Sequence, residues 1–147
     1  MTNEFSISKT GTRGKYAEGR FKKFLKAQES VNATHYRFPD ARAGSFTVTP
    51  CDFMFMKESK AFFIEVKEVE HEYRLPHRNF APDQVARMRQ WKMAGAVCRV
   101  LVCHRTVGYA WRVVDIDFFL TRDKGSWDLS GFKSMGESDA FSSTILI

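Results

Sequence analysis

The first periodic segment of the chain runs from about residue 14 to residue 29. Ala17, Phe21, Phe24, Leu25 and Gln28 recur at three- and four-residue spacing, with Lys22, Lys23 and Lys26 between them. That spacing gathers the apolar positions on one stripe, which predicts an amphipathic helix. The period then shortens. Tyr36 and Phe38, with His35 before them, predict a short strand ending at Pro39-Asp40, and residues 41–49 with Gly44 read as a loop. Two apolar runs follow at roughly 51–57 and 61–69, joined by a polar turn of Lys57, Glu58, Ser59 and Lys60. They predict a hairpin.

Residues 71–82 read as a charged loop. Asp83 is placed to cap a helix that runs to about residue 94, with Val85, Met88 and Trp91 on its buried face and Gly95 to stop it. Residues 97–103 are a near-continuous apolar strand, 109–113 a further strand after a turn at 106–108, and 115–120 a short helical turn. Trp91 and Trp111 are assigned to the core. The order α-β-β-β-α-β-β predicts an α/β fold, a mixed central β-sheet flanked by α-helices. The polar residues 1–12 are expected to form a flexible arm, and residues 13–120 the folded domain. Residues 121–147 are a Gly- and Ser-richer extension of unassigned role, anchored by Trp127, Phe132, Phe141 and residues 145–147.

Composition narrows the class. A chain of 147 residues with 44% hydrophobic and 27% charged residues fits one globular domain rather than a disordered chain. Fourteen Phe residues supply the core, so the net charge of +6 does not mark an unfolded basic tail. It favours a polyanionic partner. The three cysteines, Cys51, Cys98 and Cys103, include no Cys-x-x-Cys pair, which argues against a disulfide framework and a zinc site. Cys98 and Cys103 are expected to pack as small hydrophobes. The first residues lack the apolar stretch of a secretory signal, and no apolar run approaches membrane-spanning length. A soluble, cytoplasmic protein with no membrane partner is the expectation.

The chemistry is concentrated in the hairpin. Glu65 and Lys67 are two residues apart on a strand and therefore share a face. Alone, such a triplet also suits the solvated face of a hairpin. Asp52 changes the picture, because a gap of 13 residues to Glu65 is what a strand, a tight turn and a second strand require. Asp52 and Glu65 then offer two carboxylates, and the backbone carbonyl of Val66 a third oxygen, to a magnesium ion that prefers oxygen ligands and retains several waters. Lys67 is placed to orient an attacking water or to neutralise charge growing on a phosphate. His71 and His77 have no third ligand spaced to join them and are not read as metal ligands.

Pro50-Cys51-Asp52 followed by Glu65-Val66-Lys67 resembles the signature of the PD-(D/E)xK nuclease superfamily. One departure is Cys51, since the superfamily often places Pro directly before the Asp. The resemblance implies a restriction-endonuclease-like nuclease core, with an acid on the first helix that Glu18 supplies. Arg13-Gly14 ahead of Glu18, Asn79-Phe80 after the Glu-x-Lys strand, Gln84 on the next helix and Gly95-Ala96-Val97 before the next strand resemble RecU-type Holliday junction resolvases over roughly residues 12–120.

That resemblance implies a metal-dependent endonuclease acting on four-way or other branched DNA as a homodimer. Its implied catalytic residues are Glu18, Asp52, Glu65, Lys67 and Gln84, with Mg2+, or Mn2+ in its place, held by Asp52, Glu65, Val66 and Glu18. Gln84 equally suits an ordinary first-turn helix position. Arg13, Lys15, Arg37, Arg42, Arg74, His77 and Arg78 are the expected DNA contacts, with Phe46 beside them. RecU proteins carry a protruding stalk for which only residues 39–49 are available here. The chain is also shorter than cellular members, which suggests a compact version of the kind a phage carries into a host cytoplasm. Another nuclease of the superfamily (restriction, repair or nicking) and a non-catalytic DNA-binding protein are the alternatives.

Overall fold

A computed structural model describes residues 15–39, 49–106, 108–122 and 125–147. Helix α1, Lys15–Ala27, buries Ala17, Phe21 and Leu25, the four-residue row that the periodicity marks. A five-stranded sheet follows in the spatial order β1-β2-β3-β5-β6. Its strands are β1 (Ala33–Arg37), β2 (Phe53–Lys57), β3 (Lys60–Val69), β5 (Val97–His104) and β6 (Ala110–Asp115). Neighbours are antiparallel except β3 and β5, which run parallel through the crossover helix α2, Gln84–Met93. The expected mixed sheet flanked by helices is therefore the observed one.

β3 is the central strand, and its alternation sorts two cores. Phe62, Ile64 and Val66 face α1, packing with Phe53, Phe55, Leu101, Trp111 and Phe141. Phe63 and Val69 face the other side, where Val85 and Met88 of α2 close over Val100 and Val102. The β2–β3 turn places Glu58 and Ser59 both at positive φ, 49° and 69°, as a two-residue hairpin turn requires.

Several expectations are corrected. The 71–82 segment is not all loop: β4, Arg74–Pro76, and a 3-10 turn, His77–Asn79, lie within it. β4 pairs with β7, Ser126–Asp128, in a separate two-stranded sheet. Asp83 does not cap α2 with its side chain; it sits in the left-handed region at φ 69°. Trp91 is not a core residue. It is 47% exposed and stacks on Phe63 with ring centroids 4.7 Å apart, whereas Trp111 is buried as expected. The C-terminal segment forms helix α3, Glu137–Thr144, whose Phe141 packs against Phe21 and Trp111. All three cysteines are buried and free. No helix among the described residues is long and apolar enough to cross a membrane.

Candidate active site

The antiparallel ladder between β2 and β3 stops at the Phe53–Ile64 pair. The next step along β3 is taken by a side chain instead: the Val66 N–H donates to Asp52 Oδ2 at 2.8 Å. From Glu65 to Val69, β3 is paired with β5 alone. Asp52 is also fixed through its backbone, since its carbonyl accepts from the Phe38 N–H at 2.8 Å. Cys51 beside it packs into the core and directs its thiol to the Phe53 carbonyl at 3.2 Å, so that position is an apolar filler rather than a ligand.

Glu65 and Lys67 project together on the α2 side, as their spacing requires. Glu65 Oε2 lies 2.9 Å from Lys67 Nζ, with only 7% and 14% of the two side chains exposed. The Lys67 ammonium also donates to the carbonyl of Asn79 and lies 4.7 Å from the centre of the Phe80 ring. Glu65 Oε1 is buried and has no hydrogen-bond partner among the described residues. Burial pushes the Asp52 carboxyl up from 3.8 to about 8, and the nearby charges of Glu65 and then Glu18 push the same way. The Val66 N–H and Lys67 act against the shift without cancelling it. Crowded acids around an orphaned carboxylate oxygen describe a place deficient in positive charge.

Glu18 reaches the group from α1, but its own carboxylate is taken by Arg37 Nη2 at 2.6 Å. Arg37, expected as a DNA contact, thus serves the acid cluster, and it lies over the Phe53 ring at 5.4 Å. Among the described residues no three His, Cys, Asp or Glu side chains converge as a ready-made metal cage. The donor set nevertheless fits a magnesium ion, which binds through one or two carboxylates and completes its shell with waters and substrate phosphate. The unpartnered Glu65 oxygen and the raised Asp52 are what such an ion would relieve.

Other expected site residues scatter. Gln84 is buried in the first turn of α2, four positions after Phe80, and makes no side-chain hydrogen bond to Asp52, Glu65 or Lys67 among the described residues. His77 turns inward onto Trp127, centroids 4.2 Å apart, with its Nε2 buried. His71 accepts the N–H groups of Tyr73 and Arg74 at 3.1 and 3.0 Å and so closes a backbone turn. Arg74 is exposed and bonds to Ser126 across the small sheet. Arg78 is exposed and, with Asn79, lines a cleft of about 300 Å³ at the end of β3. Lys15 is the exposed first residue of α1. Arg13, Arg42, Phe46 and the 1–12 arm lie outside the described residues.

The sequence reading missed how Lys67 is seated. Phe80, Phe119 and Trp127 meet edge-on or tilted at 4.9 to 5.5 Å, which pins the Asn79–Phe80 corner beneath the ammonium. Asn79-Phe80 stands out in the sequence as a motif, but only the contact with Trp127, almost fifty residues away, shows what holds it.

No protein-family model matches the chain, and no curated protein matches it significantly. Among solved structures, the 1.6 Å structure of Hjc from Archaeoglobus fulgidus, a Holliday junction resolvase from an archaeal hyperthermophile, is similar to it. The TM-score is 0.57 and the identity 19%, over 88% of this chain and 95% of that one. The likeness is one of fold, and it bears out the mixed sheet with flanking helices.

Proposed function

We propose that the chain is a metal-dependent DNA endonuclease that hydrolyses phosphodiester bonds in branched DNA, as a Holliday junction resolvase does. The observation that carries the reading is the Asp52–Glu65–Lys67 group, set where β3 loses its β2 partner and Asp52 takes the freed Val66 N–H, with burial and the neighbouring acids raising the Asp52 carboxyl to about 8. The fold shared with a resolvase supports it.

Asp52 and Glu65 hold the metal in this reading, with the Val66 carbonyl as a further oxygen and Glu18 completing the acidic cluster. A magnesium ion bound there supplies charge neutralisation at the scissile phosphate and a more acidic attacking water, and Mn2+ substitutes for it. Lys67, anchored by Asn79 and Glu65, keeps its ammonium beside the reacting phosphate and orients the water. Gln84 is kept as an auxiliary contact to phosphate or water. Lys15, Arg74 and Arg78, with Arg13 and Arg42, bind the DNA backbone. Two opposed cuts at a four-way junction call for a homodimer with two-fold symmetry. The reading includes a cytoplasmic site of action, that of a host cell if the chain is phage-encoded.

The test is cleavage of a labelled synthetic four-way junction with and without magnesium, alongside a flap and a linear duplex. Paired symmetric nicks confined to the junction are expected. Equal cutting of the linear duplex would replace the resolvase reading with a restriction- or nicking-type one. Salt-sensitive binding with no hydrolysis in magnesium or manganese would make the chain a DNA-binding protein.

A further inference from the structure

Glu68 has no part in the scheme above, yet its side chain is only 4% exposed, less than that of Glu65. It shares the α1-facing side of β3 with Phe62, Ile64 and Val66, opposite Glu65 and Lys67. A carboxylate at the end of an apolar face is unfavourable unless its oxygens are matched. Here both are. Oε1 accepts the Ala17 N–H at 2.9 Å, and Oε2 lies 3.3 Å from Arg105 Nε. Arg105 directly follows β5, and its backbone N–H donates to the Val69 carbonyl at 2.8 Å. The ends of β3 and β5 and the start of α1 therefore meet at this one acid.

Ala17 is the third residue of α1, where N–H groups have no partner within the helix and where negative charge is favoured by the helix dipole. The next residue is Glu18. Its carboxylate is steadied by Arg37, while the bond from Ala17 to Glu68 fixes the backbone that carries it. We infer that Glu68 is a positioning residue: it clamps the start of α1 to the open end of β3, so that Glu18 stands beside Asp52 and Glu65 when a divalent cation binds. The clamp stands on geometry alone, and its purpose rests on the nuclease reading.

Two variants separate reach from charge. Glu68→Gln keeps an acceptor at the same reach and loses the charge, whereas Glu68→Asp keeps the charge and withdraws it by one methylene. The readouts are Mn2+ affinity of the DNA-free protein by spin-resonance titration and hydrogen exchange at the Ala17 amide, with melting curves to establish that each variant is folded. Glu68→Asp is expected to weaken Mn2+ binding about tenfold or more, the range of outer-shell residues at metal sites, and to speed Ala17 exchange. Glu68→Gln is expected to stay within about threefold of wild type. Loss of Mn2+ affinity in Glu68→Gln with Glu68→Asp near wild type would reduce Glu68 to a background charge and overturn the inference. So would unchanged Ala17 protection in Glu68→Asp. A wild type that binds Mn2+, weakens on Glu68→Asp and cuts no DNA form would support the clamp and overturn the nuclease reading.

Discussion

The two halves of β3 are built from one continuous strand, yet they do opposite things. Phe62, Phe63 and Ile64 are hydrogen-bonded to β2 on one side and β5 on the other, and their side chains are buried in the two cores. Glu65, Lys67 and Glu68 lie on the half that keeps only β5, and there the charges are gathered. A strand flanked on both sides has no backbone group to spare. Where β2 turns away, the freed Val66 N–H becomes available to a carboxylate, and Asp52 takes it. The open half is thus where a sheet can place acids against each other at a small loss of pairing, and the paired half supplies the rigidity that holds them there.

Exchanging one residue from each half tests that division. Glu65→Gln is expected to lower magnesium-dependent junction cleavage by more than about a hundredfold, beyond what an outer-shell residue contributes, while the melting temperature holds or rises. Gel assays and thermal melts on the same preparation read both. Ile64→Ala is the converse. It opens a cavity at a fully buried position and is expected to cost about 2–5 kcal/mol of stability by urea titration, with the metal concentration for half-maximal cleavage unchanged. If Ile64→Ala moved the metal requirement, or Glu65→Gln unfolded the chain, the two halves would not be separable.

Asp52 stands at the boundary and gives a smaller, pH-dependent effect. Its carboxyl titrates at about 8 in the folded, metal-free protein against an ordinary 3.8, chiefly from burial. Between those values the native state holds a proton that the unfolded chain has released. The stability this group contributes is therefore full below about pH 4 and is lost as pH rises through about 8. With chelator present, the wild-type melting temperature is expected to fall from pH 6 to 9, and that of Asp52→Asn to stay nearly level. The gap at the alkaline end is on the order of a few kcal/mol. Adding magnesium to wild type is expected to close it. Parallel pH profiles for the two proteins would mean that Asp52 is not held protonated.

The sequence was most legible where structure is local. Ala17, Phe21 and Leu25 reveal their helix because four-residue spacing alone creates a face. Asp52, Glu65 and Lys67 could be brought together on paper because one tight turn joins their strands. Three-residue steps misled at Trp91. Each step drifts by about 60° on a helix of 3.6 residues per turn, so Trp91 lies about 120° from Val85 and stacks on Phe63 while staying half exposed. Nothing local marks β4 and β7, since three residues carry no period and their pairing spans some fifty positions. The left-handed Asp83 likewise mimics a capping residue in sequence. Nothing local marks Glu68 either, because its partner Ala17 is an apolar residue contributing only a backbone N–H.

The smallest effect probes the two ends of β3 from outside. Arg78 is exposed at the open end, on the cleft beside Asn79, and Lys57 is exposed at the paired end, just before the hairpin turn. Each carries one positive charge, so a DNA-binding surface set by net charge alone would lose equally from either. A surface organised around the open half would not. Arg78→Ala is expected to weaken junction binding in calcium severalfold and to reduce the slope of log affinity against log salt by about one, the share of one phosphate contact. Lys57→Ala is expected to leave both unchanged. Titrations at several salt concentrations by fluorescence anisotropy distinguish the cases, and equal slopes for the two variants would remove the distinction between the ends as far as DNA is concerned.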